Sequence, residues 1–253
     1  MVIKPTENIL GYTILTMSIG MKILIAVIVI IVLYLLLKWY MGGGNSKLSG
    51  MKDGRQTVRI PSSKLPPSKN TNNYTYSIWI YINDWNHRFG EQKVLIDRKD
   101  RENGSSPNLA LSAMQNNLIV STAVYPTSEQ EVETPISHTC TVDNIPIQRW
   151  VNVIVSLNGR TMDVYINGKL TRTCVLPGVP KMNPDADIVI TPEGGFSGWT
   201  AATVYKPNSI NPQEAWNIYS RGYGGSFLSN ILNKYRIRVS LLEDNMARGS
   251  FDF

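Results

Sequence analysis

Few residues in this chain are of types that do chemistry, and their spacing narrows what that chemistry would be. Glu129-Gln-Glu-Val-Glu133 puts Glu129, Glu131 and Glu133 on one face of an extended segment, an arrangement that acid and base work could use. Flanked by Pro126 and Pro135, the run reads better as a solvated loop or edge. His87 and His138 are the only histidines. His138 and Cys140 alternate along one expected strand, and with Cys174 they would make an incomplete metal site, because zinc takes four ligands. Cys140 and Cys174 could instead pair between neighbouring strands, provided that the domain faces an oxidising compartment. Trp85, Tyr125, Trp199 and Tyr223 are candidates for stacking on sugar rings or packing on a partner, with ordinary core or rim packing as the competing fate. No Gly-x-Ser-x-Gly elbow or phosphate-binding loop occurs. Asn73-Tyr-Thr and Asn103-Gly-Ser have the form of glycosylation triplets, at about the frequency chance gives an Asn-rich chain.

The element that must position these residues is the aliphatic run between Lys22 and Lys38. Its uncharged interior would rise about 22 Å as a helix, short of the roughly 30 Å hydrocarbon core of a bilayer. Lys22 and Lys38 close the gap by laying their methylene stems along the span, from Ile23 to Leu37, and lifting their ammonium groups to the headgroups. Gly20 and Met21 lengthen one end. Trp39, Tyr40 and Met41 lengthen the other, and Trp-Tyr suits a membrane interface. A soluble helix of this size would show a polar stripe, and this one has none. Bulky residues follow the run in place of a small-residue cleavage site, which favours a retained anchor over an export signal.

The rest of the 253 residues suffices for one all-β domain of ordinary size. Charged residues make up 17% and the net charge is +6, which is modest and scattered. A light cluster after the span (Lys38, Lys47, Lys52, Arg55, Arg59) suits anionic lipid headgroups better than nucleic acid. By the positive-inside tendency these lysines lean the C-terminal part toward the cytosolic side.

The chain divides into a mixed N-terminal segment (1–21), the transmembrane helix (22–41), a linker (42–69), a β-rich domain (70–225) and a C-terminal strand and tail (226–253). Gly42 to Gly50 is flexible by composition and Lys64-Leu-Pro-Pro-Ser-Lys69 is stiffer. Tyr74, Tyr76, Ile78, Ile80 and Ile82 alternate with Thr75, Ser77, Trp79 and Tyr81, the pattern of a half-buried strand. Shorter strands are expected at 93–97, 108–112 and 118–122. Trp150 to Leu170 is the densest signal: Val151, Val153, Val155 and Leu157 share one face and Asn158-Gly159 supplies the positive φ angles of a tight turn. Met162, Val164 and Ile166 return, and Asn167-Gly168 turns the chain again into a third strand. Strands at 187–191 and 199–205 precede a helix opened by Asn211-Pro-Gln-Glu214, with cap, proline and capping-box Glu. A last strand is expected at 234–242, with Arg236 and Arg238 on one face.

Trp150, Asn158-Gly159 and Tyr165-Ile166-Asn167-Gly168 resemble the central hairpin of laminin G-like domains in the concanavalin A-like jelly-roll superfamily. Gly194-Gly-Phe-Ser-Gly198 followed by a strand, and Ile210 to Glu214 opening a short helix, make a second matching piece. The resemblance covers roughly residues 70 to 225. It implies an all-β, concanavalin A-like jelly-roll β-sandwich preceded by a single transmembrane helix. It is nearly silent on activity. Family members often carry acidic residues on the strand after the Gly198-type glycine; this chain has Trp199-Thr-Ala-Ala202. Superfamily enzymes that cleave β-glucans use a Glu-x-Asp-x-x-Glu pattern, absent from this chain. No cofactor is expected, although calcium occurs in the family on loop ligands. Helix, Gly-rich tether and laminin G-like domain together also resemble small membrane-linked proteins of large icosahedral DNA viruses. That likeness implies a non-enzymatic adaptor, a minor capsid protein joining an internal virion membrane to a protein shell. A membrane-tethered lectin binding glycans is the alternative, and a glycoside hydrolase is disfavoured. Partners would be the bilayer, other capsid proteins or glycans, and not nucleic acid.

Overall fold

A computed structural model of the chain describes residues 19–41, 47–67, 72–100, 104–126, 134–224, 238–243 and 246–252. It divides into two units, Met1–Gly44 and Asn45–Phe253. In the first, α1 (Ile19–Met41) is a continuous helix. It begins one turn earlier than expected, because Ile19-Gly20-Met21 extends the apolar run without a breaker strong enough to stop it. Its 23 residues rise about 34 Å, enough to cross a hydrocarbon core. Every described side chain from Ile19 to Leu36 is exposed, and Lys22 carries the only charge among them. Such a helix has the length and composition of a membrane anchor or a signal sequence.

The second unit is a sandwich of two antiparallel sheets. The first sheet runs β1 (Lys47–Ser49), β14 (Gly198–Lys206), β4 (Tyr74–Ile82), β9 (Trp150–Asn158), β10 (Thr161–Ile166), β11 (Lys169–Val175), with β2 (Lys52–Asp53) also on β14. The second runs β12 (Gly178–Pro180), β7 (Leu118–Pro126), β6 (Ser105–Leu111), β5 (Lys93–Lys99), β13 (Ile188–Ile190), β3 (Val58–Ile60), with β8 (Ile136–Val142) also on β7. Alternation decides which face meets the core. Tyr74, Tyr76, Ile78, Ile80 and Ile82 of β4 pack inward with Val151, Val153, Val155 and Leu157 of β9. Opposite them lie Leu95, Leu109, Leu111, Leu118 and Val120 of the second sheet. The three-stranded meander from Trp150 is present as expected in β9, β10 and β11, with one difference at its first turn. Only Gly159 has positive φ there (+58°), because the central residues are Gly159 and Arg160 and Asn158 still belongs to β9. At the second turn Asn167 (+52°) and Gly168 (+73°) are both left-handed, as a two-residue primed turn requires.

The stretch 42–69, expected as a linker, is instead partly built into the sandwich. β1 and β2 pair with β14 in one sheet, and β3 pairs with β13 in the other. Short edge strands next to glycine and proline have no period of their own; pairing with a formed neighbour makes them. This segment therefore crosses between the sheets at one edge. At the opposite edge Cys140 of β8 and Cys174 of β11 form a disulfide across the two sheets.

α2 (Pro212–Ser220) lies on the outer face of the first sheet, where Ile154, Tyr165, Ile210 and Ala215 form a second, smaller core. Asn211 caps it by accepting from Glu214 N at 2.9 Å, while Glu214 Oε2 accepts from Asn211 N at 3.0 Å. β15 (Arg238–Glu243) and β16 (Met246–Asp252) make a separate hairpin. The expected strand at 234–242 thus coincides with β15 from Arg238 on, and Arg236 lies outside the described residues.

Candidate functional site

Three surfaces of the sandwich carry side chains beyond those needed for the central core. The first is the outer face of the first sheet. Trp199, Tyr81 and Trp150 are direct cross-strand partners on β14, β4 and β9. Trp150 stacks on Tyr223 at 4.4 Å and Trp79 stacks on Tyr219 at 5.5 Å. These rings cover one another, and aromatic pairs of this kind add stability beyond area burial. Trp150 and Tyr165, expected as fold-signature residues, therefore hold α2 and its following turn to the sheet. Gly198 is required for a different reason: a Cβ there would lie 1.9 Å from Tyr81 O. A Cβ on Gly168 would meet the Tyr219 side chain at 2.9 Å. Trp199 stays 44% exposed at the end of the row, and Tyr125 of β7 is also exposed.

The second surface is a rim of loops, 83–92 and 191–197. Trp85 is half-buried; its Nε1 donates to Ala113 O at 3.3 Å and its ring lies under Lys93 Nζ at 5.0 Å. Lys93 is fully buried, and its ammonium donates to Arg88 O, Glu91 O and Ala113 O at 3.2–3.4 Å. Burial, and next the Arg88 charge, pull its pKa below the usual lysine value. His87 Nε2 meets Gly194 O at 2.8 Å, Arg88 reaches Glu193, and Ser197 Oγ donates to Asp84 Oδ2 at 2.7 Å. The polar groups here tie loops together.

The third surface is a groove of about 1070 Å³ on the outer face of the second sheet. Its floor lies on one row of cross-strand partners, Arg59 (β3), Val189 (β13) and Asp97 (β5), which continues to Asn108, Ser121 and Thr139. Its wall is the loop 182–187. That loop is fastened from below: Arg98, 3% exposed, donates to Pro184 O at 2.8 Å and Ala186 O at 3.2 Å. The other side of the guanidinium donates to Tyr76 Oη at 3.2 Å. Arg98 also lies over the Tyr205 ring at 5.2 Å. Burial pushes the neighbouring Tyr74 hydroxyl up to about 12, partly offset by hydrogen bonds from Thr122 and Ser106. At the loop ends Lys181 Nζ meets Asp100 Oδ2 at 2.5 Å, and Asp187 accepts from Ser62 N and Arg59 Nη1. Hydrogen bonds from Ser62 N, then Arg59, hold the Asp187 carboxyl below its usual pKa.

The candidates named from sequence fall as follows. The disulfide consumes both thiols, so the incomplete site of His138, Cys140 and Cys174 has no thiolate to offer a metal. Among the described residues no three His, Cys, Asp or Glu side chains converge as metal ligands. Glu129, Glu131, Glu133 and Asn103 lie outside the described residues. Trp85 and Tyr223 are used in packing; Trp199 and Tyr125 present exposed rings. Sequence reasoning missed the groove altogether, because Arg59, Asp97 and the 182–187 loop are far apart along the chain.

A family model described as the concanavalin A-like lectin/glucanases superfamily, of laminin G type, matches residues 52–203. The chain belongs to this superfamily. Among solved structures, the receptor-binding domain of botulinum neurotoxin D matches with a TM-score of 0.52 and 15% identity, over 70% of this chain and 46% of that one. The receptor-binding domain of the botulinum neurotoxin C/D mosaic serotype matches with a TM-score of 0.51 and 14% identity, over 70% and 44%. The matched region spans less than half of those domains, and at such identities the likeness is one of fold. No curated protein matches the chain. The superfamily includes lectins and glucanases, and its membership leaves the task of this β-sandwich to its own surfaces.

Proposed function

We propose that this protein is a non-enzymatic, membrane-anchored adaptor, with α1 held in a bilayer and the sandwich engaging a second macromolecule. The observation that carries the reading is α1 itself: an apolar helix of bilayer length, exposed throughout its described side chains. In water such a surface is costly, and lipid is the solvent that removes the cost. Lys22, Ile23, Leu37, Lys38, Trp39 and Tyr40 are its anchor residues under this reading. The architecture extends it to a minor capsid protein, joining an internal virion membrane to the shell above. The toxin domains that share the fold are receptor-binding domains, and this reading gives the sandwich a binding task too. The Cys140–Cys174 disulfide favours an oxidising surrounding for the sandwich and outweighs the few lysines that lean it toward the cytosol. Fractionation tests the proposal: the chain should sediment with membranes or purified particles and leave them with detergent but not with salt. Recovery in the salt wash would end it.

A second reading, a membrane-tethered lectin, draws on Trp199, an exposed ring beside the partly exposed Tyr81. A glycan array probed with the detergent-solubilised chain separates the two: saturable, sugar-selective signal lost in Trp199→Ala favours the lectin.

A further inference from the structure

The strands with an open side differ in how well that side is guarded. β1, β2, β3 and β12 are two or three residues long, and Lys47, Lys52, Arg59 and Pro180 stand in them. β11 is longer, but its register slips opposite Val164 and Tyr165, and Lys169 and Arg172 are exposed along it. Shortness, charge, proline and bulges are the devices that keep an edge from pairing with another chain. β8 has none of them. Ile136-Ser-His-Thr-Cys-Thr-Val142 pairs with β7 over seven residues without a shift, and it holds no Lys, Arg, Asp, Glu, Pro or Gly. Its other side meets no strand among the described residues, and among them no backbone hydrogen bond reaches it from outside the ladder with β7. Ser137 and Thr139 are exposed, and Ile136 is 46% exposed. The Cys140–Cys174 bond ties the strand to the other sheet, so this edge is held in place.

We infer that β8 is a self-association edge, pairing antiparallel with β8 of a second copy about a twofold axis at Thr139. The pairing sets Thr139 opposite Thr139, Ser137 opposite Thr141, and Ile136 opposite Val142. Ser137, Thr139 and Thr141 share the outer face, because Thr139 meets Ser121 in the outward row while Cys140 and Val142 join the core. Thr–Thr and Ser–Thr are favourable cross-strand pairs, and no like charges meet. The same operation on β11 would set Arg172 against its own copy. A second copy fits better than an unrelated strand. β8 has no charge with which to choose a charged partner, and its sequence is complementary to itself. Twofold pairing is also closed: it occupies the open side of both copies and leaves no template for further growth. Two seven-stranded sheets then become one continuous sheet, and the sandwich works as a pair. The adaptor reading stands without this pairing.

Cysteine cross-linking of the full chain in detergent tests it, since both native cysteines are already bonded to each other. Opposed residues of an antiparallel pair have Cα atoms about 4.5–5.5 Å apart, within reach of a disulfide. Thr139→Cys should therefore give a covalent dimer on mild oxidation, seen by non-reducing electrophoresis. Ser137→Cys alone should give at least about tenfold less, because its two copies lie about 13 Å apart along the strands. Ser137→Cys mixed with Thr141→Cys should cross-link. Adding Thr139→Lys to both members of that mixture sets two ammonium groups face to face and should suppress the cross-link. No covalent dimer from Thr139→Cys, or equal yields from Thr139→Cys and Ser137→Cys, overturns the inference. So does cross-linking of Thr139→Cys in membranes to another protein in place of its own copy, which would make β8 a docking strand for that protein. Unchanged thermal unfolding of the variants shows that folding is not the cause. Failure here leaves fractionation with membranes untouched, so the two ideas fall separately.

Discussion

Trp199, Tyr81 and Trp150 form a row of cross-strand partners on the outer face of the first sheet; Arg59, Val189, Asp97, Asn108, Ser121 and Thr139 form one on the outer face of the second. Both rows come from strands that alternate between core and surface with the same period. The aromatic row gathers a further layer, α2 and the turn that brings Tyr219 and Tyr223 onto Trp79 and Trp150. The polar row is satisfied within the sheet, as in Asn108 to Asp97 at 3.2 Å and Ser121 with Thr139 at 3.3 Å, and it opens onto the groove. One face is covered by a further layer and the other stays open. The inward positions of a sandwich specify the fold, and the outward ones distribute the work.

Breaking the aromatic face should cost the most. Trp79→Ala removes a ring that is 6% exposed and lies between Tyr219 and Tyr223, and should lower stability by about 3–5 kcal/mol in denaturant unfolding. A cost under about 1 kcal/mol would show that α2 merely rests on the sheet. The disulfide joins the two sheets at one edge and closes a sequence separation of 34. Replacing both Cys140 and Cys174 by Ser should cost about 2–4 kcal/mol, and non-reducing electrophoresis with thiol alkylation checks that the bond forms. Asn211→Ala should cost about 1 kcal/mol by uncapping α2, with loss of helical circular dichroism ahead of sheet signal.

The polar face should respond to pH instead. Asp187 at the groove and Asp84 at the rim, held by Ser197 and then the Asn86 backbone, both have depressed pKa values. A depressed carboxyl contributes stability that is complete above its unfolded value, near 4, and is lost as pH falls through the lower folded value. Acid should therefore loosen the 84–91 and 182–187 loops, seen as faster amide exchange there, before the aromatic face responds. The smallest effect on stability, within about 0.5 kcal/mol, is expected for Asp97→Asn/Asp185→Asn.

These differences explain what could be read in advance. β4, β9 and β10 were legible because one apolar set per strand meets the core and glycines mark the turns. The α2 cap was legible because Asn211, Pro212 and Glu214 act within one turn of chain. β1, β2 and β3 were not, since two or three residues cannot show a period and their pairing depends on β14 and β13. Arg98 lies one residue past the strand expected at 93–97; its burial follows from a shift in register along β5, which turns it toward Tyr76. The groove depends on that burial, so it could not be seen from local pattern.

The pairing of β1 with β14 has a mechanical side. Tension reaching the sandwich from the N-terminal direction meets a terminal strand at the sheet margin, with Lys47 opposite Val204 and Ser49 opposite Thr203. A marginal strand of three residues can peel away bond by bond, whereas the strands behind it share load across the whole ladder. A tug would first pay out a few residues of slack, while the disulfide on the far margin keeps the two layers clasped.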